Sequence, residues 1–254
     1  MKKIVISLLA TCGILVVNGQ EIPDFKEAIK LDGNINTSSE EAKPVLNSEG
    51  TIMYFVRAFH LENEGYDSHK ENEDIWEAVK DADGNWKKAE HEVSINDEKN
   101  NSIIGQGKED HYFLLNTYQD KKHLDYGIAQ TRKLGEHNWT KPEVTKIPKL
   151  KYDGDFYDFY ITHDEKILII SIKGEDTKGQ EDLYVAKNVD GKWSEPINLG
   201  SVINTSGFEM SPFLTEDKKL LYFSSDGRAE GKGDADVFVT ERLDDSWTNW
   251  STPK

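Results

Sequence analysis

The sequence predicts an all-β fold, a β-propeller of about four four-stranded antiparallel blades. Three observations predict it. A tryptophan recurs at Trp86, Trp139, Trp193 and Trp250, at separations of 53, 54 and 57 residues, and self-similarity at a fixed period of this size marks repeat architectures. Each period holds short β-branched and aromatic runs bounded by turn residues, the pattern of strands rather than of amphipathic helices. A segment near the N-terminus matches the link between the third and fourth units and would supply what the last unit lacks, as a closed ring of repeats requires.

Three of the tryptophans open one tetrapeptide: Trp139-Thr140-Lys141-Pro142, Trp193-Ser194-Glu195-Pro196 and Trp250-Ser251-Thr252-Pro253; Trp86 is followed by Ala89 where the proline would fall. Asp83-Gly84 and Asp190-Gly191 precede their tryptophans as tight hairpins, because Asp-Gly supplies the positive φ of a type I′ turn. Gly135 to Trp139 is expected to be a longer version. A strand opening on an acid lies ahead of each turn, at Asp74, Asp125, Asp182 and Asp236. Further upstream come the apolar strands Ile52–Phe55, His111–Leu114, Ile167–Ile170 and Leu220–Phe223. Pro44–Leu46 and Pro212–Leu214 mark the strand that starts a unit, ten residues before its tyrosine. A single unit cannot bury both faces of its sheet, so the units must stack around an axis. The repeats run over about 38–95, 96–148, 149–203 and 204–254.

Pro196 to Thr205 links the third unit to the fourth, and Ala28 to Thr37 reads as the same segment with no tryptophan hairpin before it. The chain stops at Lys254, where that segment would be due. Residues 28–37 are therefore expected to complete the last blade and close the ring. The rival expectation is a longer chain whose next unit begins there.

Residues 1–19 read as a secretory signal peptide: Lys2 and Lys3, an apolar run from Ile4 to Val17, and cleavage before Gln20. The run is too short to span a bilayer comfortably. Residues 20–254 then form the propeller domain. Cys12 is the only cysteine, and Thr11 before it is a poor lipidation context. The exported part has no disulfide, no thiolate metal site and no cysteine nucleophile. The net charge is −16, which argues against nucleic acid and against an anionic membrane surface.

Two stretches carry a resemblance. Ser211 to Asp226 with Gly231 to Val239 resembles the WD-repeat-like β-propeller repeat of the TolB type. Trp193 to Gly200 and Ile203 to Thr205 resemble the variant found in exported Bacteroidota proteins, where such propellers often precede an OmpA-like domain that binds peptidoglycan. The resemblance spans residues 28 to 254 and implies a periplasmic or outer-membrane-associated interaction module, with no partner named. The OmpA-like domain has no counterpart in the sequence, so peptidoglycan binding is not implied.

The longest connection within a unit, Arg57 to Glu73, holds Phe59, His60, Tyr66 and His69; its counterparts are Asn116 to Leu124, Ile172 to Glu181 and Asp226 to Asp234. These loops share one face of a propeller, so the enlarged one is a candidate binding lip. The candidate partner-binding residues are Arg57, Phe59, His60, Tyr66, Asp226 and Arg228. The phase-locked acids Asp74, Asp125, Asp182 and Asp236 read as structural, each satisfying donors of the preceding turn, as do the four repeat tryptophans. Trp193→Ala is expected to cost about 3 kcal/mol or more. Asp81 to Asn85 with Glu90 resembles a calcium loop, but its first ligand position falls on Val79, so no calcium is expected. The histidines show no ligand spacing, and there is no Gly-x-Ser-x-Gly elbow or phosphate loop. No catalytic residue, metal or cofactor is assigned. The sequence points to a non-enzymatic scaffold that binds an envelope protein. The alternatives are a fragment of a longer OmpA-like peptidoglycan-associated protein and a glycan or peptide hydrolase with carboxylates at the channel mouth.

Overall fold

A computed structural model describes residues 27–67, 72–120, 123–151 and 156–254, with the backbone alone at 116–120 and 123–126. The signal segment, its cleavage site, Cys12, His69 and the side chain of Asp125 lie outside the described residues. Among the described residues there is no helix: four small antiparallel sheets form a four-bladed propeller.

Blade one contains β1 (Glu40–Leu46), β2 (Ile52–Ala58), β3 (Glu73–Val79) and β4 (Glu90–His91). Blade two contains β5 (Ser102–Gln106), β6 (His111–Asp120), β7 (His123–Gly135), β8 (Asn138–Trp139) and β9 (Glu143–Thr145). Blade three contains β10 (Asp158–Ile161), β11 (Ile167–Ile172), β12 (Asp182–Val189), β13 (Lys192–Trp193) and β14 (Ile197–Asn198). Blade four contains β15 (Glu209–Leu214), β16 (Leu220–Ser225) and β17 (Asp236–Glu241). The sheets thus have four, five, five and three strands rather than four each. The tryptophan hairpin and the outer strand count separately in blades two and three; in blade four they shrink to a bridge between Arg242 and Trp250 and a bonded pair of Val239 with Lys254.

The middle strands read as unbroken apolar runs because both their faces are covered. Along β11, Ile167 and Ile169 pack toward blade four, and Leu168, Ile170 and Ile172 pack toward blade two. Along β2, Tyr54 faces blade two, while Met53 and Phe55 face the other way beneath Ile35. Successive strand residues point to opposite faces, so one strand feeds two interfaces. Full burial of each such side chain contributes about 1.5–3 kcal/mol. The inner strands of blades one and four break register between Ala42 and Val45 and between Met210 and Phe213. Lys43 (φ 50°) and Ser211 (φ 51°) adopt left-handed backbone there, each beside a proline that has no N–H to give the ladder.

Several turns differ from expectation. Asp190 (φ 51°) and Gly191 (φ 78°) are both left-handed, as a type I′ turn requires. At Asp83-Gly84 only Gly84 is left-handed, with the Gly84 N–H bonded to Asp81 O and the Asp81 N–H bonded to Asn85 O. That is a three-residue loop ending in a glycine bulge, organised by Asp81, whose carboxylate accepts the Asp83 and Asn85 N–H groups at 2.9 Å each. The Gly135 connection is short rather than long: Gly135 pairs with Asn138 across two residues. Asn116 to Leu124 is no loop, because β6 and β7 remain paired out to Asp120 and His123.

The segment 28–37 also behaves differently. Asn34 and Ile35 dock on blade one: Asn34 Nδ2 donates to Trp86 O at 2.8 Å, Ala89 N to Asn34 O at 3.0 Å, and Ile35 joins the blade-one core. Ile29, the repeat counterpart of β14, is 87% exposed and lies in no strand. Lys254 exchanges two backbone bonds with Val239, the position that Ile197 takes opposite Val185 in blade three. The last blade therefore starts its outer strand with its own residue, and residues 34–37 repeat the role of 202–205, the entry to the following blade.

Candidate functional site

The candidate lip is a tied-down loop. Asn63, buried in it, donates to Arg57 O at 2.8 Å and Asn72 O at 3.1 Å and accepts from Trp76 Nε1 at 3.1 Å. The His60 ring packs edge-on against Trp76, centroids 4.6 Å apart. Phe59 (44%), Leu61 (76%) and Tyr66 (38%) remain exposed on it. Arg57 does not share that exposure: it is 3% exposed, bonds Glu41 Oε1 at 3.0 Å and Ile35 O at 2.8 Å, and lies 4.1 Å over the Trp76 ring. Arg228 forms the same node in blade four. It donates to Val202 O at 2.9 Å and to Ile203 O, and lies 5.2 Å over Phe223 and 5.3 Å over Phe238. Asp226 accepts the Phe208 N–H at 2.8 Å. Of the six candidate residues, Arg57, Phe59, His60 and Tyr66 belong to blade one and Asp226 and Arg228 to blade four; the two arginines and Asp226 are engaged within their blades.

The strand-entry acids accept donors from the segments before them. Asp74 accepts Glu64 N at 2.6 Å, and also bonds Asn101 Nδ2 at 3.0 Å and His91 Nε2 at 2.7 Å. Asp182 Oδ2 accepts Lys178 N at 3.1 Å and Asn198 Nδ2 at 2.8 Å. Asp236 Oδ2 accepts Lys232 N at 2.5 Å and Gly233 N at 3.1 Å. The tryptophans divide: Trp139 (8% exposed) and Trp250 (3%) are core, whereas Trp86 and Trp193 are half-buried.

A buried polar network not assigned from the sequence lies between blades one and two. Lys133 Nζ contacts Glu77, Tyr54 Oη at 2.6 Å and Glu92 at 3.8 Å. Trp139 Nε1 donates to Glu92 Oε2 at 3.1 Å, and His137 lies 3.3 Å from Glu92 and 2.9 Å from Glu90. Burial raises the Glu92 carboxyl, and Glu77 adds to the rise. Burial also raises Glu77, but bonds from Lys133 and Tyr54 outweigh it and hold Glu77 below its ordinary range. Burial lowers His137, and the surrounding Glu92, Glu77 and Glu90 more than reverse this. Two carboxyls pushed apart are the arrangement of an acid–base pair. Glu77, Glu92 and His137 are also the one set of three such groups, among the described residues, whose ligand atoms lie within 4.8 Å of one another. The Lys133 ammonium already stands among them, which suits an internal ion network better than a metal centre. The signal was present in the sequence: Glu77 takes the position held by Val185 and Val239 in blades three and four, and Glu92 that of Leu199.

A cleft of about 940 Å³ lies elsewhere, between the outer parts of blades two and three. Arg132, Lys141, Lys146 and Lys192 line it with Trp193 and the exposed Val144. His111 Nδ1 and Glu165 Oε1, 2.8 Å apart, strut its floor. Glu165 also accepts Lys108 N at 2.7 Å; burial raises its carboxyl, but these donors hold it low. The carboxyls that burial lifts, Glu92, Asp158, Glu181, Asp182 and Glu209, do not line this cleft.

The four sheets define the class as a small β-propeller. No protein-family model matches the sequence, nor does any curated protein sequence. Among solved structures, the chain is similar to TolB from Acinetobacter baumannii, with a TM-score of 0.51 and 14% identity over 82% of this chain and 42% of that one. It is similar to an endo-arabinase from Bacteroides thetaiotaomicron, with a TM-score of 0.51 and 13% identity over 88% of this chain and 82% of that one. The chain thus spans less than half the length of that TolB. At these identities the likeness is one of fold.

Proposed function

We propose that this chain is a non-enzymatic propeller that acts as a protein–protein interaction scaffold in the cell envelope, periplasmic or outer-membrane-associated, exported by residues 1–19. One observation carries the reading. The carboxyl pair suited to chemistry is packed around Lys133 beneath Trp139, while the cleft with room for a substrate contains none of the lifted carboxyls. Catalysis needs reacting groups and substrate in one place. The partner surface is the blade-one lip, where Phe59, Leu61 and Tyr66 stand exposed on a loop fixed by Asn63. Exposed aromatics on a pre-organised loop lose little freedom on binding. The TolB-type repeat resemblance supports this reading; kinship with longer OmpA-like proteins rests on that resemblance alone.

A glycan or peptide hydrolase is the second reading, favoured by the fold shared with an endo-arabinase and by the divergent Glu77–Glu92 pair. The test is a crosslinked pull-down of the tagged chain from its own cell envelope. Recovery of one envelope protein in near-equal amount, lost when Phe59, Leu61 and Tyr66 are changed to serine, supports the scaffold. Recovery of nothing specific, with release of glycan or peptide products that Glu92→Gln abolishes, would establish the hydrolase instead.

A further inference from the structure

We infer that the cleft between blades two and three binds an acidic, extended peptide segment of a partner as an added strand on the free edge of β9. The inference rests on the interaction-module reading and gives it a second surface with a defined partner chemistry.

The register identifies the free groups. The third residue after the strand-entry acid in blade four, Val239, exchanges both backbone bonds with Lys254. In blades one and three the bonded positions fall in the same phase, with Glu92 N on Ile75 O and Leu199 N on Leu183 O. Ile128 opposite Thr145 is the equivalent of Val239 opposite Lys254. Bonded and non-bonded pairs alternate in an antiparallel ladder. The central residue of β9, Val144, therefore turns its N–H and C=O away from β7, toward the cleft, and no strand among the described residues pairs with that edge. Val144 is 50% exposed.

Charge sets this edge apart from those of the other blades. β4 is followed by Glu92 and itself contains Glu90; β14 lies just after Glu195. β9 itself contains Glu143, but it is flanked by Lys141 and Lys146, with Arg132 beside it and Lys192 on the facing hairpin, all exposed, and the other acid of the cleft, Glu165, is paired with His111, so cations outnumber acids along this edge. None of these four cations forms an ion pair with an acid among the described residues, in a chain of net charge −16. An added strand draws affinity from main-chain bonds and selectivity from alternate side chains. Here acidic side chains would meet the cations, and an apolar one would rest on Trp193. Lysines also guard bare edges against unwanted pairing, and an edge guarded in that way rejects basic or neutral strands while admitting acidic ones.

The test uses the full chain and a fluorescein-labelled octapeptide of alternating Glu and Val, followed by anisotropy at fixed ionic strength. Comparison probes are the Lys–Val octapeptide and an oligogalacturonate. Saturable binding of the Glu–Val peptide alone is expected, with amide-exchange protection at Val144. It should weaken about tenfold or more in Lys146→Glu/Lys192→Glu, as for close charge pairs at an interface. It should weaken comparably in Val144→Pro, which removes an outward donor and which an edge strand tolerates; unchanged melting of each variant establishes that it folds. Absence of saturable binding, or binding that Val144→Pro leaves intact, would overturn the inference. Equal binding of the oligogalacturonate would replace the peptide with a polyanionic glycan. Capture of an envelope protein through the Phe59 lip with no peptide binding would sink this inference and leave the scaffold reading standing.

Discussion

Lys133 Nζ donates to Tyr54 Oη at 2.6 Å, a bond that crosses from blade two to blade one. It places a single ammonium between two buried carboxyls, Glu77 and Glu92, beneath the edge-on rings of Tyr112 and Trp139. The core between the first two blades contains buried charge, where the cores of the next two interfaces are apolar and the ion pairs that cross them, His111–Glu165 and Lys218–Asp164, are more exposed.

Replacing that ammonium should therefore cost more than an average core substitution. Lys133→Met leaves two carboxyls without their cation, and breaking a buried pair costs about 3–5 kcal/mol. Urea unfolding followed by tryptophan fluorescence measures it. A loss below about 1 kcal/mol, the scale of an exposed pair, would mean that the network is hydrated.

The same network makes stability depend on pH. The His137 pKa is raised in the folded state, with its surrounding glutamates outweighing burial. Its contribution is fully present below the unfolded value of about 6.5 and is lost as pH rises through the folded value. The gap in melting temperature between wild type and His137→Gln should thus be largest in mildly acidic buffer and close as the buffer becomes alkaline. A gap that stays constant would show that His137 does not titrate with folding.

The repeat tryptophans should not be equivalent. Trp139 is buried and meets the Tyr54 ring at 5.7 Å and the Tyr112 ring at 5.0 Å, so Trp139→Ala should cost about 3–5 kcal/mol. Trp193 is half-buried at the cleft. Trp193→Ala should cost less than half as much, in place of the core penalty that the repeat phase alone suggests. Equal losses in denaturant unfolding would contradict the assignment.

Backbone contact between blades three and four should be intolerant of a single methyl. A Cβ at Gly179 would lie 2.4 Å from Gly207 O and from Ser206 C. Gly179→Ala should destabilise by about 1–3 kcal/mol, whereas Gly233→Ala, with open space around it, should change little. Thermal melts of the two variants compare them directly.

The fold was legible because a propeller repeats its physics. The Trp-x-x-Pro of three units, the acid at each strand entry and the doubly covered apolar runs recur in phase, and the four sheets follow them. Segment 28–37 was half legible. The match to 196–205 was visible and makes Ile35 the counterpart of Ile203, but its docking on blade one was not read from it, and pairing in the outer strand depends on which residue lies beside Val239, which local sequence does not encode. The Glu77–Glu92 network was visible as charges at apolar repeat positions and was obscured by the abundance of acids. The β9 cleft was beyond reach, because it joins Lys141 and Lys146 to Lys192 and Trp193 across an inter-blade gap whose width only packing sets.

The scaffold proposal stands or falls on whether this propeller binds a partner through the blade-one lip. A photo-crosslinking residue placed at Phe59, with the same residue at Glu216 on the opposite turns as control, tests it most directly in intact envelope. One discrete adduct is expected from position 59, lost with Tyr66→Ser, and none from position 216. Identical adducts from both positions, or none from position 59, would contradict it.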